Sequence, residues 1–275
     1  MAGLPRSGST LTRTILNTHS EIYAGPISPS VELLYYTQSY FDNHSEMMKS
    51  YPRPESCYNV LSQIVNNFYE PIMNQNGKSI ILDHNRAIPN NIERFRQYVT
   101  EDIKIICPVR GVLDILTSFI TLIHKNSDSV SFIDQYLKEK NLELTDDNRC
   151  DYLMSPGIGI VDESLWALSR AYKTGEQNCL YVYEYDDLVK TPVEILNEIH
   201  DFLNLERYEY SLNNLENEFP EDDIFYYNLA GMHSVRRKIE KISNAPEEVL
   251  SDYVLNKYNN LEFWRDIKFN HYLKA

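Results

Sequence analysis

The sequence predicts an α/β protein with a parallel sheet covered by helices on both faces. Three short runs rich in apolar, β-branched and aromatic residues are typical of buried strands, namely Ser79–Leu82, Ile103–Val109 and Cys179–Tyr183. Segments with apolar residues at helical spacing separate these runs. Strands that alternate with helices form βαβ units, which bury a parallel sheet between helical layers. No repeat, low-complexity tract or flexible linker divides the chain, so we expect one domain over residues 1–275.

Four segments are predicted to be helices: Asn90–Tyr98, Val112–His124, Ser164–Tyr172 and Pro192–Leu203. Thr191 and Pro192 suit the cap and the first position of the last of these.

Other segments depart from this alternation. Residues 30–75 and 126–160 contain no evident strand, and we expect them to be helical insertions or lids over the sheet. The acidic and aromatic segment 205–235 is predicted to be a long ordered loop. A last amphipathic helix is predicted over Pro246–Tyr258.

The composition limits the class of partner. With 43% hydrophobic and 24% charged residues, the chain is globular rather than disordered. Its 40 acidic residues against 26 basic ones give a formal charge of -14, which disfavours a surface devoted to nucleic acid or to an anionic membrane. A local basic pocket remains compatible with that charge. The four cysteines form no close pair, and no signal peptide or membrane-length apolar run is evident, so we expect a cytoplasmic protein.

The segment that begins at Gly3 predicts an anion-binding loop. A tight turn that leads into a helix directs free backbone N–H groups and the positive end of the helix dipole at one point. Glycine permits close approach of an anion, hydroxyl groups donate hydrogen bonds, and arginine offers a planar set of donors. The candidate residues of this loop are Pro5, Arg6, Ser7, Gly8, Ser9 and Thr10. A structural turn capped by Ser9 is the alternative.

The spacing of this loop is nearly that of a P-loop, Gly-x-x-x-x-Gly-Lys-Ser/Thr, but Ser9 stands at the lysine position. A P-loop NTPase needs that lysine on the β- and γ-phosphates. We therefore expect the fold of the P-loop nucleoside triphosphate hydrolases, a three-layer α/β fold with a parallel sheet. We expect the protein to catalyse a different reaction from those enzymes. Because the loop begins at residue 3, either the strand that leads into it is very short or the N-terminus is trimmed.

Leu4–Leu11 resembles the 5′-phosphosulfate loop of sulfotransferases that depend on 3′-phosphoadenosine 5′-phosphosulfate (PAPS), and Asn17–Ile22 looks like the bacterial and tyrosylprotein branches of that family. Cys107–Phe119 is similar to the family's 3′-phosphate motif. The resemblance implies that Arg110 and Ser118, eight positions apart, hold the 3′-phosphate. A structural arginine and serine are the alternative for this motif.

Two weaker matches complete the nucleotide site. Tyr183–Pro192 looks like the family's Tyr-Glu-Asp-Leu box, which implies that Tyr185 contacts the adenine, although a tyrosine and two acids after a strand are commonly structural. The densest basic cluster of the chain consists of Arg236, Arg237 and Lys238. The family often has basic residues in a C-terminal loop that closes over the 3′-phosphate, while a solvated helix face is the other interpretation.

The catalytic residues are less clearly defined. His84 follows a strand at a position where many relatives have lysine, and an unperturbed histidine pKa near 6.5 suits a general base. A structural histidine bonded to Asp83 is an equal alternative. The tyrosylprotein branch uses a glutamate in a Gly-Glu-Glu stretch, but here the first acid downstream is Glu32, which is the second candidate base. Arg6 would stabilise the leaving phosphate.

The leading hypothesis is therefore a sulfotransferase that moves the sulfuryl group of PAPS to the hydroxyl of a small molecule, sugar, lipid or peptide, without a metal, nucleic-acid or membrane partner. A homodimer is one open possibility. A P-loop kinase or NTPase is the rival, supported by the Walker-B-like run Ser79–Asp83 and by Thr10 as a potential magnesium ligand. The missing lysine and the Arg110–Ser118 pair oppose it. A non-catalytic nucleotide-binding protein is the third hypothesis, because His84 replaces the usual lysine.

Overall fold

The computed structural model describes residues 1–50, 54–240 and 244–266. This described part contains two pairs of parallel strands and fifteen α-helices. Strand β1 (Ile22–Tyr23) pairs with β2 (Ile80–Ile81), and β3 (Ile105–Val109) pairs with β4 (Leu180–Glu184). This mixture of helices with parallel strands confirms the α/β class. The three strands predicted from sequence correspond to β2, β3 and β4, whereas the two-residue β1 was not predicted.

Residues 1–4 connect the two strand pairs through backbone hydrogen bonds. The amino group of Met1 donates to the carbonyl of Asp83, and the Asn85 amide donates to the carbonyl of Met1 at 3.1 Å. On the other side, Ala2 donates to Ile106 at 2.8 Å and Leu4 donates to Pro108 at 3.0 Å. Pro108 has no backbone N–H, so it cannot donate a hydrogen bond back to residues 1–4. A very short segment thus leads into the predicted phosphate loop.

The helices occupy the connections between these strands. In chain order they are α1 (Ser9–Asn17), α2 (Ser30–Asn43), α3 (Ser45–Ser50), α4 (Pro54–Asn76), α5 (Ile92–Tyr98), α6 (Val112–Lys125), α7 (Phe132–Glu139), α8 (Asp146–Leu153), α9 (Ile160–Lys173), α10 (Tyr185–Lys190), α11 (Pro192–Leu203), α12 (Asp223–Tyr227), α13 (Pro246–Val249), α14 (Asp252–Lys257) and α15 (Phe263–Asp266).

Several predicted elements differ in detail from those in the structure. Residues 30–75 contain α2, α3 and most of α4, with residues 51–53 outside the described part, and residues 126–160 contain α7 and α8. The predicted final helix is divided into α13 and α14, because Leu250 has an extended backbone between them. The segment 205–235 is mostly loop, but it contains the short helix α12.

Buried side chains on both sides of β3 hold the layers together. Helix α6 buries Ile115, Leu116, Phe119 and Ile120 completely, at the spacing of one helix face. Ile15 of α1 packs in a second apolar cluster with side chains from β4 and α11. Fully burying such a side chain stabilises the fold by about 1.5–3 kcal/mol. This packing fixes α1 against β4 and α11 and fixes α6 against β3, and both helices begin next to the predicted site. Among the described residues, no helix is both long and apolar enough to cross a membrane.

Candidate active site

The loop between the first residues and α1 is held in a tight, left-handed conformation. Arg6 has φ 58° and Gly8 has φ 85°. A Cβ atom on Gly8 would lie 2.6 Å from the ring of Tyr185, so glycine is required both by the backbone and by the neighbouring ring. The buried Ser7 hydroxyl lies 2.5 Å from the carbonyl oxygen of Leu4 and 2.8 Å from that of Pro108. Ser7 therefore anchors the loop to β3 instead of facing a ligand.

Helix α1 begins directly after this loop without a side-chain cap. Gly8 is the residue at the cap position, and its carbonyl accepts the Thr12 amide at 2.9 Å. No described side chain bonds the first-turn amides as a cap, and Ser9 and Thr10 line a cavity at that point. Free amides and the positive end of the helix dipole attract anions. This end of α1 can therefore bind a phosphate or a sulfate.

A cavity of about 280 Å³ lies over the loop and collects most of the predicted nucleotide site. Of the predicted residues, those that line it are Pro5, Arg6, Gly8, Ser9, Thr10, Arg110, Ser118, Tyr185, Arg236 and Lys238. Arg86 and Lys125 add two further cations, whereas Glu240 is the one carboxylate among its lining residues. Although the protein carries a formal charge of -14, this cavity is strongly basic. Such a concentration of positive charge attracts a polyanionic ligand.

The cavity lies at the carboxyl ends of neighbouring parallel segments. Pro5 follows residues 1–4, Arg110 follows β3 and Tyr185 follows β4, so each chain segment delivers a site residue at its end. Parallel strands point their carboxyl ends at one edge, which is where α/β proteins bind their ligands.

Arg6 connects the loop with α6 and with the C-terminal region. Its Nε donates to the hydroxyl oxygen of Ser118 at 3.1 Å, and its Nη1 donates to the carbonyl of Met232. Burial lowers the pKa of Arg6 to about 10, with the nearby Arg110 as the second cause. The guanidinium is still charged at neutral pH. Two adjacent cations at one cavity are stabilised when an anion binds between them.

Arg110 keeps one buried donor without a protein partner. Its Nη1 donates to the carbonyl of Arg6 at 3.3 Å, its Nη2 lies 3.9 Å from Asp114, and its guanidinium carbon lies 5.0 Å from the centroid of the Tyr185 ring. Its Nε is buried and has no partner among the described residues. An unpaired buried donor costs free energy, and a phosphate oxygen bound in the cavity would accept its hydrogen bond. Arg110 is therefore suited to bind a phosphate. The resemblance implied that Ser118 acts with Arg110, but its hydrogen bond is to Arg6.

The basic cluster near the C-terminus lies across the cavity, in a segment held at both ends. Ala230 and the side chain of Asn126 exchange two hydrogen bonds, of 2.9 and 3.2 Å, and Lys238 pairs with Asn213 as an isolated bridge. The structure brings Arg236 and Lys238 to the cavity. Arg237 is exposed and does not line it, and its carbonyl accepts the amide of Leu215 at 3.0 Å.

The two candidate bases occupy different environments. His84 is only 5% exposed, its Nδ1 is buried without a partner among the described residues, and it lines none of the three cavities described in this section. Burial lowers its pKa well below the ordinary value, and nearby positive charges including Arg86 act in the same direction. Glu32, in the first turn of α2, accepts a hydrogen bond from Asn85 at 3.0 Å and lines a second cavity of about 560 Å³.

Arg86 lines both the basic cavity and the second cavity, and sequence reasoning assigned it no role. It stands two positions after His84, just past the strand β2. The second cavity also presents Trp166, Ile160 and Asn90, which makes it a mixed apolar and polar site. Arg86 therefore stands where a group bound in one cavity could meet a group bound in the other.

The acid expected to bind magnesium in a P-loop kinase lies elsewhere. Asp83 lines a third cavity of about 580 Å³, and the Ser28 hydroxyl donates to its Oδ1. Thr10 lines the basic cavity, for which Asp83 is not a lining residue. The structure therefore does not bring these two residues to a common cavity.

A basic cavity thus lies at a helix N-terminus, beside the ends of parallel strands, in an α/β protein. In α/β folds this arrangement is typical of sites for phosphate or sulfate groups. The first 209 residues match the model of the sulfotransferase family. The chain belongs to that family, as the sequence motifs indicated.

Other comparisons are more distant. A search of curated proteins returned no significant match. The sulfotransferase domain from the curacin biosynthetic pathway is 18% identical, with 76% of each chain covered and a TM-score of 0.46. The sulfotransferase domain of the Synechococcus PCC 7002 olefin synthase is also 18% identical, with 86% of each chain covered and a TM-score of 0.47.

Proposed function

We propose that this protein transfers the sulfuryl group of PAPS to an acceptor hydroxyl and releases 3′,5′-adenosine bisphosphate. One observation carries the proposal: the loop at Arg6 and the pair Arg110 and Ser118 line one basic cavity, although they come from distant parts of the sequence. A ligand with phosphate groups at two positions uses both sets of donors. A nucleoside triphosphate has no 3′-phosphate for the second set.

The donor side of the reaction rests on fixed positive charge. The first-turn amides of α1 and the Arg6 guanidinium hold the 5′-phosphosulfate and stabilise the charge that develops on the leaving phosphate. Arg110 holds the 3′-phosphate with its free Nε, while Arg236 and Lys238 cover it from the C-terminal side. Tyr185, beside Gly8 and Arg110, contacts the adenine. The proposal requires no metal ion, because these cations supply the charge.

The fold proposed to carry this site is the three-layer sheet of the P-loop type. Residues 1–4 lie between β2 and β3 and lead directly into the anion-binding loop, which is the arrangement such a fold requires. In this order β1 and β4 become the outer strands of the sheet.

The acceptor is proposed to bind in the 560 Å³ cavity that shares Arg86 with the basic cavity. Its lining combines Trp166 and Ile160 with polar groups, so that a small molecule or the end of a sugar, lipid or peptide can present a hydroxyl near Arg86. Glu32 lines this cavity, so its carboxylate can take the proton of the hydroxyl as its oxygen attacks sulfur. His84, the other candidate base, is buried and lines neither cavity, so a role in proton transfer requires the site to rearrange.

Turnover tests the proposal. Purified protein is incubated with PAPS and a panel of phenol, sugar, lipid and peptide acceptors, and release of 3′,5′-adenosine bisphosphate is measured by chromatography. Parallel reactions contain ATP or GTP with Mg²⁺. Release of the bisphosphate with a sulfated product is expected, and phosphorylated product from ATP or GTP alone contradicts the proposal.

The same assay assigns the base. A His84→Ala or Glu32→Gln protein that still binds the bisphosphate but loses about 10²-fold or more of its turnover identifies the residue that takes the proton. Arg207→Ala is the control, because Arg207 is exposed and pairs with Asp201 in a surface salt bridge.

A further inference from the structure

His233 is a histidine of the basic cavity that is held by two carboxylates. Its Nδ1 lies 2.6 Å from Asp223 Oδ1 and 3.3 Å from Glu221 Oε2. Its backbone amide donates to the other oxygen of Asp223 at 2.9 Å. The ring and the backbone of His233 are therefore fixed by the same carboxylate, which sets the orientation of the imidazole.

Contacts within the protein also fix the two carboxylates, Glu221 and Asp223. Glu221 Oε1 accepts a hydrogen bond from Nη2 of Arg13 at 2.9 Å, and the side chain of Arg13 is only 1% exposed. Asp223 is the first residue of α12 and is also buried. The contacts from Arg13 through Glu221 to His233 are made within the protein, so no ligand is needed to order them. This arrangement is prepared before any substrate enters the cavity.

The position of His233 places it at the anion-binding loop. Arg6 donates a hydrogen bond to the carbonyl of Met232, the residue immediately before it, and both Arg6 and His233 line the basic cavity. The side chain of His233 is 13% exposed. Because Nδ1 is occupied by the carboxylates, Nε2 is the ring nitrogen left for a group bound in the cavity.

We propose that His233, in its imidazolium form, donates the Nε2 proton to the oxygen of the departing 5′-phosphate. This assignment rests on the proposed function and adds to it a proton donor for the leaving phosphate. As the bond from the acceptor oxygen to sulfur forms, the bond from sulfur to the bridging oxygen breaks and its electron pair stays on the phosphate. That oxygen receives the proton of His233, the base on the acceptor side receives the hydroxyl proton, and His233 regains a proton from water after product release.

The chemistry of the loop explains why such a donor is needed here. Ser9 occupies the position at which a P-loop has its lysine, and the α1 residues that line the cavity, Ser9, Thr10 and Leu11, include no cation. Arg6 contributes charge, but burial lowers its pKa only to about 10, and it remains a poor proton donor at neutral pH. An imidazolium can give up a proton at neutral pH. Among the described residues, the charged and titratable groups near His233 include Glu221, Asp223, Tyr227 and His84, and the cations Arg6 and Arg86 line the same cavity.

The test compares binding with turnover in His233→Ala. We expect this variant to bind 3′,5′-adenosine bisphosphate within about threefold of the wild-type protein, whereas turnover of PAPS falls on the order of 10²-fold. Added imidazole enters the vacated space and restores turnover in part, and a merely structural histidine would give no such rescue. Asp223→Asn, which keeps the shape of the carboxylate, should lower turnover about tenfold. His124→Gln is the control, since His124 is a surface residue paired with Asp146.

The outcomes separate this proposal from the proposed function. The role of His233 is overturned if the turnover of His233→Ala stays within threefold of the wild-type value. It is also overturned if the variant folds and binds the bisphosphate but imidazole does not restore its lost turnover. Neither result contradicts the proposed function. If His233→Ala fails to fold, full turnover of Asp223→Asn overturns the role of His233 in the same way. A wild-type protein that neither binds the bisphosphate nor turns over PAPS overturns the proposed function and this role together.

Discussion

The Nε of Arg6 donates a hydrogen bond to the hydroxyl oxygen of Ser118 at 3.1 Å, although the two residues are 112 positions apart. Arg6 belongs to the loop before α1, and Ser118 lies in the middle of α6. This contact joins the element that resembles a 5′-phosphosulfate loop to the element that resembles a 3′-phosphate motif. The two motifs therefore line one cavity, and loss of this hydrogen bond is expected to weaken binding of a ligand that contacts both.

Ser118→Ala tests that connection. The substitution leaves the Arg6 Nε without its partner in a buried position, which typically costs about 1–3 kcal/mol. We expect about tenfold weaker binding of 3′,5′-adenosine bisphosphate, measured by titration calorimetry. Ser155→Ala is the control, because the Ser155 hydroxyl donates to the Asp151 carbonyl at 2.7 Å and the residue does not line the cavity. Unchanged affinity in Ser118→Ala would show that this hydrogen bond has no part in the site.

Arg110→Ala tests the assignment of the 3′-phosphate. A hydrogen bond to a charged group contributes about 1.5–3 kcal/mol, so the variant should bind 3′,5′-adenosine bisphosphate about 10- to 100-fold more weakly. Binding of adenosine 5′-phosphosulfate, which lacks the 3′-phosphate, should change far less. Equal losses for both ligands would place Arg110 at the 5′ end of the nucleotide instead.

Gly8→Ala separates backbone strain from steric contact. Gly8 and Gly77 both have positive φ angles, 85° and 64°, but a Cβ on Gly8 meets the Tyr185 ring whereas a Cβ on Gly77 meets nothing within 4 Å. The backbone strain of alanine at either position costs about 1–2 kcal/mol. We expect Gly77→Ala to show this loss only, and Gly8→Ala to lose more stability in denaturant unfolding and to bind the bisphosphate poorly. Equal losses of stability would mean that the Tyr185 ring moves aside at little cost.

His84 predicts a pH dependence of stability. Its pKa is held well below the ordinary value by burial, so in acid the unfolded chain binds a proton that the folded chain does not. Stability is therefore fully present above the unfolded pKa of about 6.5 and falls as the pH drops below it, by at most about 1.4 kcal/mol per pH unit for this group. In urea titrations between pH 8 and pH 5, His84→Gln should show a smaller fall than the wild-type protein. A slope identical to that of the wild type would contradict this burial effect, and His124→Gln controls for an exposed histidine.

Local sequence patterns located the ends of α6 and α11 to within one residue, whereas α9 begins at Ile160, four residues before the predicted Ser164. Pro192 and Thr191 mark the start of α11, and the glycine and serine residues before α1 mark the tight turn that leads into it. The two-residue strand β1 is too short to leave a period in the sequence. Its place depends on pairing with a partner far along the chain.

The remainder of the site depends on tertiary contacts that no local pattern contains. Arg86 was visible in the sequence beside His84, but only the fold shows that it lines two cavities and that His84 is buried. The orientation of His233 depends on Asp223 and Glu221, which lie ten or more positions earlier in a segment predicted to be loop. The burial of a side chain and its contacts with residues distant in the sequence depend on how the whole chain packs.

The measurement that bears most directly on the central claim is the melting temperature of the protein with 3′,5′-adenosine bisphosphate, ATP and GTP, each with and without a magnesium chelator. A ligand at a hundred times its dissociation constant stabilises the folded state by about 2.7 kcal/mol, which corresponds to a shift of about 5–10 °C. We expect such a shift with the bisphosphate alone, unchanged by the chelator. A shift with ATP or GTP only, lost when magnesium is removed, would contradict it.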